Sequence, residues 1–129
     1  MVTMRYVVRE HEGWFSVETS GEPDVVVWRS FFEELLARPH WRRGGRLLVD
    51  HTRLELGRLS IDEVRLLSEV AKEYGERFGA ARLAVLVDTD VKFGVVRMTD
   101  VYFKGKWEVV ALTFRDRDEA LAWLLDDGD

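Results

Sequence analysis

Residues 60–87, SIDEVRLLSEVAKEYGERFGAARLAVLV, contain the helix and the strand that decide the fold. Ser60 and Glu63 have the spacing of a capping box, so a helix is predicted to begin directly after Ser60. Its apolar residues recur at steps of three and four, and Gly79 is expected to end it. The all-apolar run at 83–87 is typical of a strand buried on both faces. The predicted inward face of the helix is Ile61, Val64, Leu67, Ala71, Tyr74 and Phe78.

The residues that precede this stretch predict a hairpin, a helix and a second buried strand. Residues 4–9 and 14–19 are short β-rich runs separated by a turn that contains Gly13. Residues 24–37 have helical periodicity, with Asp24 placed to cap the start. Leu47-Leu48-Val49 is a short apolar run that ends in Asp50, which predicts a buried parallel strand.

The residues that follow it predict a helix, a strand and a last helix. Residues 90–103 are expected to be helical, and Trp107–Phe114 to form a long strand. Asp116 and Glu119 have capping spacing ahead of the last helix. The resulting order, ββαβαβαβα, is an α/β fold: a five-stranded, mostly parallel sheet with an N-terminal hairpin and four helices. With 129 residues and no repeat or linker, residues 1–129 are expected to form one domain.

Composition excludes several classes of function. The net charge of −5 disfavours nucleic acid as a partner, because phosphate backbones repel an acidic surface. The absence of cysteine excludes disulfides and thiolate zinc sites. No apolar run approaches the length of a membrane span, and the N-terminus lacks a signal-peptide core. The sequence therefore predicts a cytoplasmic protein.

Several landmarks, in shared order over nearly the whole chain, resemble the SpoIIAA-like (STAS/SEC14) family. They are Leu47-Leu48-Val49-Asp50, Ser60, Arg82-Leu83-Ala84-Val85, Phe93-Gly94, Arg97-Met98, Phe114-Arg115-Asp116, Ala120 and Trp123-Leu124. The resemblance implies a β/α superhelical domain, akin to STAS modules and to lipid-carrying CRAL-TRIO domains. STAS relatives are phosphorylation-controlled partners of regulatory proteins, and their switch is a serine in a loop after a strand. The equivalent stretch at 50–53 lacks that motif, which argues against the switch.

A polar strand-end crevice is the first candidate site. In open parallel sheets, ligands bind at the carboxyl ends of the strands. That edge is expected to gather Asp50, His51, Thr52, Arg53, Asp88 and Asp90, together with Thr89 and Asp116. The site could hold a metal or a phosphate. The alternative interpretation is that these residues cap helices and turns, which is the commoner use of Asp and Thr after strands.

Two patterns at this edge suggest chemistry. Asp88-Thr89-Asp90 after an apolar strand resembles the nucleophile loop of haloacid-dehalogenase-type phosphatases, but it lies late in a small chain. His51 is the best placed of the three histidines to act as a general base, although local packing is the alternative. No nucleophile motif or clear set of metal ligands accompanies either pattern, so no catalytic residue, metal or cofactor is predicted.

The helix predicted at 90–103 has two apolar faces. Val91, Val95, Met98 and Tyr102 share one face, which is expected to pack on the sheet. Phe93, Val96 and Phe103 point elsewhere and need another cover, and Arg97 flanks them. The cover could be a neighbouring helix, a ligand or a second subunit. Phe93, Val96, Arg97 and Phe103 are therefore the predicted partner or ligand surface.

The sequence thus favours a non-catalytic interaction or regulatory module that self-associates, with a homodimer expected. One alternative is a domain that binds a small apolar ligand or lipid, which requires a cavity of roughly 300 Å³ or more. The other is a metal-dependent phosphatase-like enzyme that uses Asp50, Asp88 and Asp90. The partner, the pathway and any modification of Thr52 or Ser60 are not determined by the sequence.

Overall fold

A computed structural model describes residues 2–103 and 108–127, without the side chains of residues 99–103. The elements in chain order are β1 (Arg5–His11), β2 (Trp14–Gly21), α1 (Val25–Leu36), β3 (Arg46–Leu54), a short 3₁₀ turn (Leu56–Arg58), α2 (Ile61–Phe78), β4 (Arg82–Leu86), α3 (Asp90–Phe103), β5 (Val110–Phe114) and α4 (Arg117–Leu124). The strands form one sheet in the order β1-β2-β3-β4-β5. The predicted element order is confirmed.

The sheet is parallel except at one edge. β2 to β5 are parallel neighbours, while β1 pairs antiparallel with β2 through the hairpin. Each helix from α1 to α3 connects one strand to the next strand in the sheet. The mostly parallel sheet with one antiparallel edge, as predicted, is confirmed.

The helices lie in unequal layers on the two faces of the sheet. Leu47 and Val49 of β3 pack with α1 and α2, whereas Leu48 packs with Ala120 and Leu124 of α4. Because successive strand residues point to opposite faces, α4 covers the face opposite α1 and α2. α3 joins a third cluster, with Leu54, Leu56, Val85 and Val87.

The predicted helix starts are confirmed by their caps. Asp24 accepts hydrogen bonds from the amides of Val26 and Val27, and Asp116 accepts one from Glu119. Both hydrogen bonds of the Ser60–Glu63 capping box are present. α2 ends at Gly79, whose positive φ of 64° suits a residue without a side chain.

Ile61 departs from its predicted position. It was expected on the inward face of α2 but is exposed, while the other five predicted side chains are buried. The reason is that Ile61 is the first residue of α2, so its side chain lies at the helix end rather than over the sheet. Exposure there leaves an apolar group beside the 3₁₀ turn.

Two strands differ in length from the prediction. β3 continues from the apolar run through Asp50 to Leu54, so the polar residues at 50–53 belong to the strand itself. β5 begins at Val110 rather than at Trp107, which lies outside the described residues. Within the described part of the chain, no helix is long and apolar enough to cross a membrane.

Candidate functional site

The carboxyl end of β3 extends beyond its neighbour β4. The β3–β4 register ends at Asp50 and Leu86, and β3 runs on to Leu54. On its other side β3 pairs with β2 through an irregular register, which passes from Glu18↔Asp50 to Ser20↔Arg53. Two residues of β3, His51 and Thr52, therefore oppose one residue of β2. This is a β-bulge, and it reorients the polar side chains that sequence reasoning had assigned to a crevice.

Asp50 is held within its own strand. One carboxylate oxygen, Oδ1, accepts hydrogen bonds from the Thr52 amide at 2.9 Å and from the Thr52 hydroxyl at 2.7 Å. The other, Oδ2, lies 3.8 Å from Nη1 of Arg117 at the start of α4. The Asp50 side chain is only 18% exposed. Its carboxylate therefore closes the bulge and is already engaged by neighbouring donors.

His51 points to the opposite face and is buried in the core beneath α1. The Thr19 hydroxyl lies 3.1 Å from the Asp50 carbonyl, to which it donates, and 2.6 Å from Nδ1 of His51. Because the hydroxyl has one proton, it must accept from Nδ1–H, which fixes the tautomer. Burial lowers the pKa of His51 from 6.5 to about 4, and the nearby Lys92 ammonium contributes in the same direction.

The indole of Trp28 completes the surroundings of His51. The two ring centroids are 5.4 Å apart. His51 is thus neutral at pH 7 and shielded from solvent, so it is poorly placed to take a proton from a substrate. The interpretation that it packs locally agrees with this geometry.

Asp88 and Asp90 are also paired. Asp88 Oδ1 lies 2.9 Å from the Lys92 ammonium, and the hydrogen bond from Lys92 lowers the pKa of Asp88. Asp90 is paired with Arg115, whose Nη2 also donates to the Asp88 carbonyl at 3.1 Å. Thr89 caps α3 by accepting from the Lys92 amide. The two carboxylates are therefore attached to separate cations rather than directed at a common point.

Sequence reasoning missed Lys92, Arg115 and Arg117, the cations of this edge. The Lys92 ammonium donates to the Thr52 carbonyl at 2.8 Å, and its side chain is 15% exposed. It therefore ties the start of α3 to the bulge of β3. The four-residue spacing of Asp88 and Lys92 was the available signal, because such pairs face each other on a helix.

The pairing of the carboxylates with these cations limits the chemistry that this edge of the sheet can perform. Among the described side chains of residues 2–98 and 108–127, no three His, Asp or Glu are grouped closely enough to hold a metal ion. Asp50, His51, Thr52, Asp88 and Asp90 do lie at one end of the sheet, as predicted. Arg53 is exposed on β3. A role for these residues in binding stays a prediction.

α3 faces the core with a different side from the one predicted. Phe93, Val95 and Val96 are half-buried against the Leu54–Val87 cluster, while Val91 is 63% and Met98 37% exposed. The expected inward face is therefore wrong at Val91 and Met98, whereas Val95 does pack inward and the side chain of Tyr102 lies outside the described residues. The physical reason is that α3 packs on α2 and the 3₁₀ turn as well as on the sheet, and helical periodicity does not reveal which neighbour sets the inward direction.

Because α3 faces the core with a different side from the one predicted, the predicted partner surface also changes. Phe93 and Val96 contribute to internal packing, and the Arg97 guanidinium lies 6.0 Å from the centre of the Phe93 ring. The side chain of Phe103 lies outside the described residues. Val91, Gly94 and Met98 are exposed along one side of α3, and we call this surface the α3 strip. The 3₁₀ turn lies close to this strip, because a Cβ atom added at Gly57 would be 3.2 Å from Cγ1 of Val91.

Two solved structures resemble the whole chain. One is an uncharacterised protein of the DUF3478 family with a SpoIIAA-like fold from Shewanella loihica PV-4, with 17% identity, a TM-score of 0.64, and 96% and 95% of the two chains covered. The other is an anti-sigma factor antagonist from Mycobacterium paratuberculosis, with 18% identity, a TM-score of 0.60, and 96% of each chain covered. No protein-family model and no curated protein sequence matches the chain. The order of elements, the sheet and these likenesses together show that the chain has the SpoIIAA-like fold.

Proposed function

We propose that the chain is a non-catalytic interaction module that self-associates through the α3 strip. The observation that carries the proposal is the exposure of Val91 and Met98 on one side of α3, next to the 3₁₀ turn. Ile61, three residues after the end of the 3₁₀ turn that α3 contacts, is also exposed. Contiguous exposed apolar groups are typical of protein interfaces.

The polar edge supports a binding role over a catalytic one. Asp50, Asp88 and Asp90 each contact an internal donor or cation, and His51 is neutral and buried. An enzyme would need at least one of these groups directed at a substrate. A role in protein binding also fits the name of the anti-sigma factor antagonist among the structural neighbours.

The α3 strip has a matched control on the far side of α2. Leu66 is also exposed, and it lies on the face of α2 that carries Glu73, two turns further on. Glu73 forms a bidentate ion pair with Arg29 of α1. Leu66 therefore faces the α1 side, away from α3, and a charge placed there leaves the α3 strip unchanged.

Light scattering coupled to size-exclusion chromatography tests the proposal on the wild type, Val91→Asp, Met98→Asp and Leu66→Asp. We expect a concentration-dependent dimer that is lost in the first two variants and kept in Leu66→Asp, because only the first two place a charge on the interface. All three sites are exposed, so thermal unfolding is expected to change little. A wild type that stays monomeric at every concentration would contradict self-association.

A further inference from the structure

A cavity of about 430 Å³ lies at the opposite end of the parallel strands from Asp50. One wall is the β1–β2 hairpin, residues 10–15, and the other is the connection between α1 and β3, residues 40–42 with 45 and 46. Its volume falls in the range of small-molecule sites. Sequence reasoning did not locate it, because its two walls are separated by about a quarter of the chain.

The walls of the cavity are largely aromatic. Trp14, Phe15 and Trp41 all contribute to the lining. Trp41 is 8% exposed, and Phe15 packs edge-on against it at 5.7 Å. The ring of Trp41 also lies on Gly45, where a side chain would come within 2.8 Å of it. These contacts hold an apolar wall in a fixed position.

The ionisable groups of the lining are two carboxylates, two imidazoles and two guanidinium groups. The indole Nε1–H of Trp41 has no acceptor among the described residues, but it is buried behind the wall and is not presented to the cavity. Arg42 and Arg46 also line the cavity. Of the two acidic residues, Glu10 is engaged by His40 at 2.5 Å, and Glu12 is exposed at the turn. With Glu10 held by His40, the guanidinium groups of Arg42 and Arg46 favour a ligand that supplies acceptors.

The guanidinium of Arg46 is paired with Asp127, which follows α4. Arg46 and Arg82 are register partners on β3 and β4, and like charges directly opposite each other are destabilising. Asp127 lies 2.9 Å from Nη2 of Arg46, and the Asp126 carbonyl accepts from Arg82. The Asp127 side chain is 79% exposed, so this carboxylate is weakly held.

We propose that the cavity binds a small organic anion, with its apolar body against Trp14, Phe15 and Trp41 and its carboxylate on Arg46. Asp127 is not a lining residue, so the ligand carboxylate competes with it for the Arg46 guanidinium from the cavity side, since a planar guanidinium binds either carboxylate in the same way. Arg42 supplies a second positive charge at the rim. This site is separate from the α3 strip, so it does not depend on the proposed self-association.

A matched pair of probes tests the site: 1-naphthylacetate and its neutral amide, 1-naphthylacetamide. The five Trp indole N–H signals are followed in nitrogen–proton correlation spectra, after assignment with Trp→Phe variants. We expect 1-naphthylacetate to shift the Trp14 and Trp41 signals saturably. The amide is expected to bind about tenfold more weakly, since it lacks the charge-assisted bond to arginine.

Three variants make the result specific to the cavity. Arg46→Gln is expected to weaken 1-naphthylacetate about tenfold, whereas Asp127→Asn is expected to strengthen it about two- to threefold by removing the internal competitor. Arg115→Gln, at the other end of the sheet, is expected to leave the affinity unchanged. Equal affinity for acid and amide, no saturable shift at Trp14 and Trp41, or no gain in Asp127→Asn would each overturn the proposal.

Discussion

Charged side chains lie at both ends of the parallel strands, but they are paired differently. At the carboxyl end, Asp50, Asp88 and Lys92 are partly shielded and bonded to one another or to the bulge. At the amino end, Arg46 is paired with the exposed side-chain carboxylate of Asp127, next to a cavity. A buried indole N–H without an acceptor among the described residues occurs at both sites, in Trp28 beside His51 and in Trp41. The difference teaches that polar density alone does not single out a candidate site, because charged groups that already pair with one another have little left to offer a ligand.

The largest effect we expect is acid destabilisation through His51. Its pKa is about 4 in the folded protein and 6.5 ordinarily, so the unfolded chain takes up the proton first as the pH falls. The contribution of neutral His51 to the free energy of unfolding is therefore present in full above pH 6.5. It is lost as the pH falls from 6.5 to 4. The expected loss is about 3 kcal/mol, because each pKa unit corresponds to about 1.4 kcal/mol.

Urea unfolding of the wild type and His51→Gln at pH 7, 5.5 and 4 measures this loss. Carboxylates contribute to acid unfolding in both proteins, so the difference between the two curves isolates the histidine. The difference in the free energy of unfolding between the wild type and His51→Gln is expected to narrow steadily toward pH 4. A gap that stays constant with pH would show that His51 is not a buried neutral group, and the carboxyl end would then be more accessible than described.

A smaller effect is expected from Lys92, which joins α3 to β3. Lys92→Met keeps most of the side-chain length but removes the hydrogen bonds to the Thr52 carbonyl and Asp88. We expect a loss of about 1–2 kcal/mol in the free energy of unfolding at pH 7. Lys72→Met is the control, since the Lys72 ammonium is 3.6 Å from Glu69 in an ordinary helix pair. Equal losses in the two variants would contradict a special role for Lys92.

The smallest expected effect is that of Asp127→Ala, and its comparison with Asp50→Ala tests the contrast between the two ends of the parallel strands. Asp127→Ala is expected to change the free energy of unfolding by less than about 0.5 kcal/mol, because its ion pair is exposed. Asp50→Ala is expected to cost about 1–2 kcal/mol, because the Thr52 amide and hydroxyl lose their acceptor. Chemical denaturation of both variants measures the two changes. A larger loss in Asp127→Ala would mean that the Asp127 carboxylate stabilises the fold and is not displaceable.

Local signals predicted much of the fold. The caps at Asp24, Ser60 and Asp116 were predicted from sequence because each one depends on residues within one helical turn. The buried strands around Leu48 and Ala84 were predicted because a strand covered on both faces has an all-apolar sequence. These features are specified by neighbouring residues and do not depend on the rest of the chain.

The details of the candidate sites needed distant contacts. The polar stretch from Asp50 to Arg53 resembled a loop, yet it is strand, because β2 supplies backbone partners and Thr19 supplies one for His51. The inward side of α3 was assigned wrongly because its periodicity fits more than one direction. The cavity between the hairpin and Trp41 has no local signal at all.

The sequence by itself determined the order of elements, the start of the capped helices and the apolar strands, since hydrogen-bonding and hydrophobic periodicity act over a few residues. Only the tertiary structure decided which polar groups are satisfied, which side of α3 is exposed and where a cavity opens. Burial and pairing are properties of groups brought together from distant parts of the chain. The same Asp or Arg can therefore stabilise the fold or bind a ligand, depending on what the fold places beside it.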